Sequence, residues 1–344
     1  MRVHGTHLRT IRETDDHRGL VVIDQTLLPE RLDQVRLESL GDCARAITDM
    51  VVRGAPLIGV TAAYGLALGL REDPSDAGLE TARRTLLATR PTAVNLRWAI
   101  DRVATAARER PLFERAGVAW REAGRMAEED VAVCEAIGRH GAALLRGLPR
   151  GGGDLEVLTH CNAGWLATVD WGTALAPVYA LHDAGVPVHV WVSETRPRNQ
   201  GLLTAWELGQ HGVPHTLIVD NASGHLLQRR RVDVCVTGAD RVTSAGDVCN
   251  KIGTYLKALA ARESGIPFFA AVPSSTIDWS TALGSAIPIE ERASVEVDRT
   301  GELEVFNPGF DVTPASLVRG LITERGVCEA SPAGLSGLFP ERAA

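Results

Sequence analysis

Past residue 153 the chain settles into one rhythm, in which a short apolar run, a polar turn and an amphipathic stretch recur. The apolar runs are Leu155–Thr159, Val188–Ser193, His215–Val219, Val232–Thr237 and Phe268–Val272. Between them Ala167–Ala184, Leu202–His211, Ala222–Arg230 and Lys251–Ser264 read as helices. β-rich runs alternating with helices predict a parallel sheet covered on both faces, a doubly wound Rossmann-like α/β domain. Gly185-Val186-Pro187, Gly212-Val213-Pro214 and Gly265-Ile266-Pro267 each fit a helix stop followed by entry into the next strand. Thr313-Pro314 supplies an N-cap and a first-turn proline for a last helix, Ala315–Glu324.

The residues before this rhythm read differently. Asp42–Met50, Leu57–Leu70, Thr92–Arg108 and Val118–Leu145 carry apolar residues at helical spacing, and only Leu20–Asp24 and Val35–Leu37 read as strands. Gly147-Leu148-Pro149-Arg150-Gly151-Gly152-Gly153 would interrupt any regular element. The expected organisation is therefore a helix-rich domain with a small sheet over 1–150 and the Rossmann-like domain over 151–344.

The formal charge of -7 argues against a nucleic-acid platform, which calls for a basic excess. It leaves room for an anionic small molecule held by a local cluster of Arg or Lys. The six cysteines form no CxxC pair, and no Cys/His spacing resembles a zinc site. No uninterrupted apolar stretch approaches membrane-spanning length, and Met1-Arg2-Val3-His4 leads into polar sequence with no apolar leader segment. A reduced, cytoplasmic protein is expected, with no membrane partner.

Chemistry-bearing residues gather where the strands end. Cys161, Glu194-Thr195-Arg196, Asp220-Asn221 and Asp240-Arg241 follow four successive runs. A polar strand end is what solvent alone produces. Four polar ends on apolar strands point to a site at the carboxyl edge of the sheet, where open α/β sheets bind ligands. Asp240 follows Val234-Cys235-Val236-Thr237-Gly238-Ala239, surroundings that raise a carboxyl pKa and suit a general acid; its other reading is a cap on the next turn. Cys161 reads either as a shuttle base or as a packed thiol, and its polar neighbours Thr159, His160 and Asn162 tilt it towards function. Cys235 and Cys249 read as packing residues.

Other signals are weaker. Arg53-Gly54-Ala55-Pro56 precedes a helix, and free backbone N–H groups there suit an anion. Asn250-Lys251 is expected to open another helix, its lysine either holding phosphate or facing solvent. Gln200-Gly201 offers an amide to sugar hydroxyls or to water. The turn after the first strand, Cys161-Asn162-Ala163-Gly164-Trp165, lacks the dinucleotide fingerprint, so a nicotinamide cofactor is not expected.

Taken in order, these segments resemble one family almost end to end. They are Val52-Arg-Gly-Ala-Pro-Leu-Ile-Gly-Val, Arg90-Pro-Thr-Ala-Val-Asn-Leu, Leu158-Thr-His-Cys-Asn-Ala-Gly, Glu194-Thr-Arg-Pro, Leu203-Thr-Ala-Trp-Glu-Leu, Thr237-Gly-Ala-Asp-Arg, Asn250-Lys-Ile-Gly-Thr-Tyr, Ile287-Pro-Ile-Glu-Glu-Arg and Asn307-Pro-Gly-Phe-Asp-Val-Thr-Pro. The family is that of the methylthioribose-1-phosphate isomerases, within the larger group that includes the regulatory subunits of translation initiation factor 2B. The resemblance implies an enzyme of methionine salvage, an intramolecular oxidoreductase that turns a 5-substituted ribose 1-phosphate into its ketose without metal or nicotinamide. It implies catalytic roles for Cys161 and Asp240 and substrate binding by Arg53, Gly54, Ala55, Arg90, Gln200, Asn250 and Lys251. It also implies a homodimer.

Two departures flank this set. One residue, Leu202, stands between Gly201 and Leu203, where family members carry a small residue and an arginine. Trp165 replaces the small residue usual after Cys-Asn-Ala-Gly. They leave the 5-substituent open: methylthio, hydrogen, halogen, hydroxyl or phosphate, the last giving ribose 1,5-bisphosphate. A reading of another class is a regulatory, ligand-sensing subunit without turnover, against which stand both Cys161 and Asp240.

Overall fold

The computed structural model describes residues 1–90, 94–148 and 153–342. They pack as two compact units, Met1–Val133 with Trp165–Gly172, and Cys134–Gly164 with the chain from Thr173 onward. Residues 149–152, inside the expected domain boundary, lie outside the described residues, as do 91–93, which include the start of the expected helix Thr92–Arg108.

The first unit opens with an antiparallel pair, β1 (Arg2–Val3) and β2 (Thr6–His7). An antiparallel sheet of β3 (Ile11–Glu13), β4 (Leu20–Ile23) and β5 (Gln34–Leu37) follows. Then come α1 (Leu40–Thr48), α2 (Ala55–Glu72), α3 (Asp76–Leu87), α4 (Val94–Arg108) and the start of α5 (Leu112–Arg146). Every residue of α2 from Leu57 to Leu70 is buried, so this helix, apolar on all sides, forms the centre of the unit. Helix α3 is an addition to the expected set. Its signal is present in the sequence: the Ser75 hydroxyl caps the N–H of Gly78, and Leu79, Ala82 and Leu86 form its buried stripe.

The second unit takes the rest of α5, from Cys134, and then β6 (Leu155–Thr159), α6 (Ala176–Asp183), β7 (Val188–Ser193), α7 (Gln200–His211), β8 (His215–Ile218), α8 (Ala222–Gln228) and β9 (Val234–Thr237). It continues through β10 (Arg241–Thr243), β11 (Val248–Lys251), α9 (Thr254–Glu263), β12 (Phe268–Ala271), β13 (Ile277–Asp278), β14 (Phe310–Thr313), β15 (Gly320–Thr323), β16 (Gly326–Cys328) and α10 (Pro332–Leu338). The main sheet has the order β16-β15-β12-β9-β6-β7-β8 and is parallel except at its β16 edge. Its six parallel strands, taken in chain order, lie 3-2-1-4-5-6 from the β8 edge, the doubly wound arrangement.

The three Gly-x-Pro turns build the amino edge of this sheet in one way. The glycine of each adopts positive φ (Gly185 70°, Gly212 78°, Gly265 68°). Its N–H bonds three residues back, to His182, Gly209 and Arg262, and the next N–H bonds five back, to Leu181, Leu208 and Ala261. That is a Schellman close. Proline then stops the helix, and its carbonyl accepts from a neighbouring strand: Pro187 from Leu155, Pro214 from Val190, Pro267 from Cys235.

Three expected helices are corrected. Within Ala167–Ala184 only α6 is α-helical; Trp165–Ala167 is a 3-10 turn, and Trp171 and Gly172 have positive φ. The backbone there is spent on other partners in the first unit: Leu166 O accepts from the Gln25 amide, Val169 O from Thr10 N–H, and Val169 N–H donates to Asp130. Lys251–Ser264 splits into the end of β11 and the helix α9, because Gly253 turns the chain at φ 99°. Strand β11 pairs antiparallel with β10 and β14 in a small sheet of order β13-β10-β11-β14. Ala315–Glu324 holds a 3-10 turn and then β15, a buried strand whose Gly320–Ile322 pairs with β12 and makes it the sixth parallel strand.

Candidate active site

Strand order reverses between β6 and β9, which are hydrogen-bonded neighbours (Val157 opposite Val234, Leu158 opposite Cys235). Cys161 leaves the carboxyl end of β6 and Asp240 that of β9. Thr159 Oγ1 ties the two ends by donating to Val236 O at 2.8 Å. Cys161 and Asp240 thus follow the two strands on either side of the switch point, the position at which doubly wound sheets receive ligands.

Cys161 is half-buried and lies at φ 65°, in the left-handed region. Its N–H donates to Thr195 Oγ1 at 2.8 Å, and its carbonyl accepts from Thr204 Oγ1 at 2.8 Å. Thr195, fully buried at the end of β7, is itself at φ 65°. Left-handed conformation in a β-branched residue is rare, and each such non-glycine residue costs about 1–3 kcal/mol that the surroundings must offset. Here the offset is visible in the hydrogen bonds that hold both residues.

Those bonds lead to Asp220, just past β8. Its carboxylate accepts the Thr195 N–H at 2.9 Å, the Arg196 N–H at 2.8 Å and the Ser193 hydroxyl. The Lys257 ammonium, from α9, stands 3.8 Å away and is 5% exposed. Burial works against the Asp220 charge, but the Ser193 and Arg196 bonds, Lys257 and the Thr195 N–H hold its pKa below the usual aspartate value. Burial lowers the pKa of Lys257, and Asp220 opposes the shift. His160 is buried beside them. Burial first, then the Lys257 charge, hold its pKa far below the ordinary imidazole value, so the ring is neutral. Its Nε2 faces the Ile252 carbonyl at 2.8 Å and therefore carries the proton, leaving Nδ1 facing Thr195 Oγ1 at 3.3 Å. The Asn162 amide donates to Glu207 at 2.5 Å, a carboxylate on α7 with no exposure.

Asp240 is half-buried, and its N–H donates to Cys249 O at 2.9 Å, which sets it beside Asn250 and Lys251. Both of these are buried and stand on β11 rather than at a helix start. Asn250 Nδ2 donates to Thr254 Oγ1, and Lys251 Nζ donates to Gly309 O at 2.7 Å. Asp311, across from Asn250 on β14, caps α9 by accepting the N–H groups of Gly253 and Tyr255. Burial pushes its carboxyl up to about 6 against those bonds. Gln200 is the first residue of α7, and its buried Oε1 has no hydrogen-bond partner. Arg198 pairs with Glu296 at 3.0 Å.

The remaining expected residues belong to the first unit. Gly54 caps α2 at φ 93°, and a Cβ there would fall 2.3 Å from Ala167 O, so no other residue fits. Arg53 is buried just before it, and Ala55 begins the helix. Arg90, past the end of α3, has a buried Nε with no hydrogen-bond partner. Trp165 is completely buried in its 3-10 turn. Lys257 went unnamed in the sequence reading, Thr195 and Asp220 appeared there only as polar strand ends, and His160 only as a polar neighbour of Cys161. Nothing local announces that they meet, because the bonds that join their strand ends link residues 24 to 92 positions apart in the chain.

A 3-2-1-4-5-6 sheet is the doubly wound α/β architecture, whose ligands bind at the carboxyl edge of the switch point, and that is the edge at which the strands leading to Cys161 and Asp240 end. The model of the initiation factor 2 subunit family matches residues 51–330. The chain belongs to that family, and it is an enzyme of the isomerase branch. It is 62% identical over 361 residues to the methylthioribose-1-phosphate isomerase of Methylorubrum populi, covering 99% of each chain. Its identity with the protein of that name from Escherichia coli is 53% over 360 residues, covering 99% of this chain and 97% of the other. The crystal structure of 5-methylthioribose 1-phosphate isomerase from Pyrococcus horikoshii OT3 matches with a TM-score of 0.86 at 40% identity, over 98% of this chain and 97% of that one. Among the described residues, no helix is long and apolar enough to cross a membrane.

Proposed function

We propose that this isomerase converts 5-methylthioribose 1-phosphate to the corresponding ribulose 1-phosphate, as a homodimer in cytoplasmic methionine salvage. In the reaction the bond from C1 to the ring oxygen breaks as that oxygen takes a proton. The hydrogen at C2 moves to C1, and O2 gives up its proton as C2 becomes a carbonyl. Asp240 is the acid that serves the ring oxygen and the base that relieves O2. Cys161 is the base that takes the C2 hydrogen as a proton and returns it to C1 through an enediol-type intermediate. Arg53, Gly54, Ala55 and Arg90 bind the phosphate with guanidinium and backbone donors. Gln200, Asn250 and Lys251 take the sugar oxygens and developing charge.

The observation that carries this reading is the departure of Cys161 and Asp240 from adjacent strand ends on either side of the switch point. Names borne by full-length relatives support the substrate. The unpartnered buried atoms Gln200 Oε1 and Arg90 Nε support the binding set.

The test is ketone formation followed by NMR with 5-methylthioribose 1-phosphate, 5-deoxyribose 1-phosphate, a 5-halo analogue and ribose 1,5-bisphosphate. The methylthio sugar should give the largest kcat/KM, and in heavy water the product should carry deuterium at C1. Complete retention of the substrate hydrogen would replace the Cys161 route with direct hydride migration. No ketone from any of the four sugars would leave a ligand-sensing subunit instead.

A further inference from the structure

We propose that Asp220 is a positioning residue for the Cys161 thiol, acting through the hydroxyl of Thr195. The inference rests on Cys161 being the reacting thiol. Asp220 fastens the turn after β7 by both of its oxygens, one taking the Thr195 N–H and the Ser193 hydroxyl, the other the Arg196 N–H. That fixes Thr195 at φ 65°, a conformation a β-branched residue does not hold unaided. From there Thr195 Oγ1 donates to Ser193 O at 2.9 Å and accepts the Cys161 N–H at 2.8 Å. Cys161, also at φ 65°, points its side chain from a backbone that this bond and the Thr204 hydroxyl define.

The rest of the cluster keeps Asp220 in that role. Buried Lys257 supplies the compensating charge at 3.8 Å. Neutral His160, next to Cys161 in the chain, is locked by Ile252 O and turns Nδ1 towards Thr195 and Asp220, at 3.3 and 3.9 Å. Three strand ends, those of β6, β7 and β8, are thereby tied to a single carboxylate. Asp220 itself makes no contact with Cys161; its effect is conveyed by backbone geometry.

The experiment compares Asp220→Asn, Thr195→Ala and Thr195→Ser with the unaltered protein. It reads kcat and KM for 5-methylthioribose 1-phosphate and, separately, the rate at which iodoacetamide alkylates Cys161, mapped by peptide mass spectrometry. Asp220→Asn and Thr195→Ala should lower kcat by about tenfold or more with KM changed by less than about threefold, since a small misplacement of a reacting group is costly. Both should also change the Cys161 alkylation rate by at least about threefold, whereas Thr195→Ser, which restores the hydroxyl, returns both quantities towards the original. Alkylation and kcat unchanged in Asp220→Asn would overturn the proposal, as would altered alkylation with unaltered kcat. Should Asp220→Asn fail to fold, the Thr195 pair decides. Should the unaltered protein make no ketone, the isomerase reading fails, and alkylation alone decides whether Asp220 positions the thiol.

Discussion

The two edges of the main sheet use the same unusual backbone conformation for opposite ends. At the amino edge Gly185, Gly212 and Gly265 sit at positive φ with nothing within 4 Å of where a Cβ would be. Those turns are relaxed and interchangeable. At the carboxyl edge Cys161 and Thr195 occupy the same region with side chains attached. Glycine would hold either position without strain, but it carries neither thiol nor hydroxyl. Strain is kept where a side chain has work to do, and a net of hydrogen bonds around Asp220 absorbs it.

The largest effect expected from this contrast is chemical. Asp240→Asn should lower kcat by about a thousandfold, within the range that general acid–base groups contribute, with thermal unfolding unchanged. Near-normal turnover would remove Asp240 from the mechanism. Cys161→Gly should cost about a hundredfold in kcat while stabilising the fold by about 0.5–1 kcal/mol, the relief of left-handed strain less the entropy that glycine loses on folding. A fall in urea midpoint would show that Cys161 is not strained. At the opposite edge Gly212→Ala should destabilise by about 1–2 kcal/mol and leave kcat alone. Loss of activity there would couple the edges and spoil the contrast.

The smallest effect is in pH. The His160 pKa is depressed in the folded chain, so the unfolded chain binds the extra proton. The contribution of the neutral ring is complete above an unfolded imidazole pKa of about 6.5 and is lost as pH falls below it. Asp220, also depressed, adds a loss further into acid, below its unfolded value of 3.8. Unfolding midpoints measured from neutral to mildly acid pH should therefore fall, less steeply in His160→Gln. Equal slopes would indicate that His160 titrates normally.

Much of the main sheet was legible because its signals are local. Apolar runs mark the buried strands, so β6 and β7 coincide with the expected Leu155–Thr159 and Val188–Ser193, and Gly-x-Pro marks the entries to β7, β8 and β12. What failed depended on partners far away in the chain. Val248–Lys251 is a strand because β10 and β14 flank it, and α9 begins at Thr254 because Asp311 caps it from 58 residues away. Gly320–Thr323 is a strand because Phe269–Ala271 lies alongside. The same divide runs through the candidate site. Cys161 and Asp240 announce themselves as chemistry at strand ends, while Thr195, Asp220 and Lys257 acquire meaning when left-handed turns bring them together.

The most direct measurement is a crystal structure of the Asp240→Asn protein holding 5-methylthioribose 1-phosphate. The C1–C2 bond should lie about 3–3.5 Å from the Cys161 sulfur, the separation of reacting atoms poised to combine. The side chain at position 240 should reach the ring oxygen or O2 at about 2.6–3.2 Å. A sugar bound away from the β6 and β9 ends, or a Cys161 sulfur turned from it into the protein interior, would contradict the account.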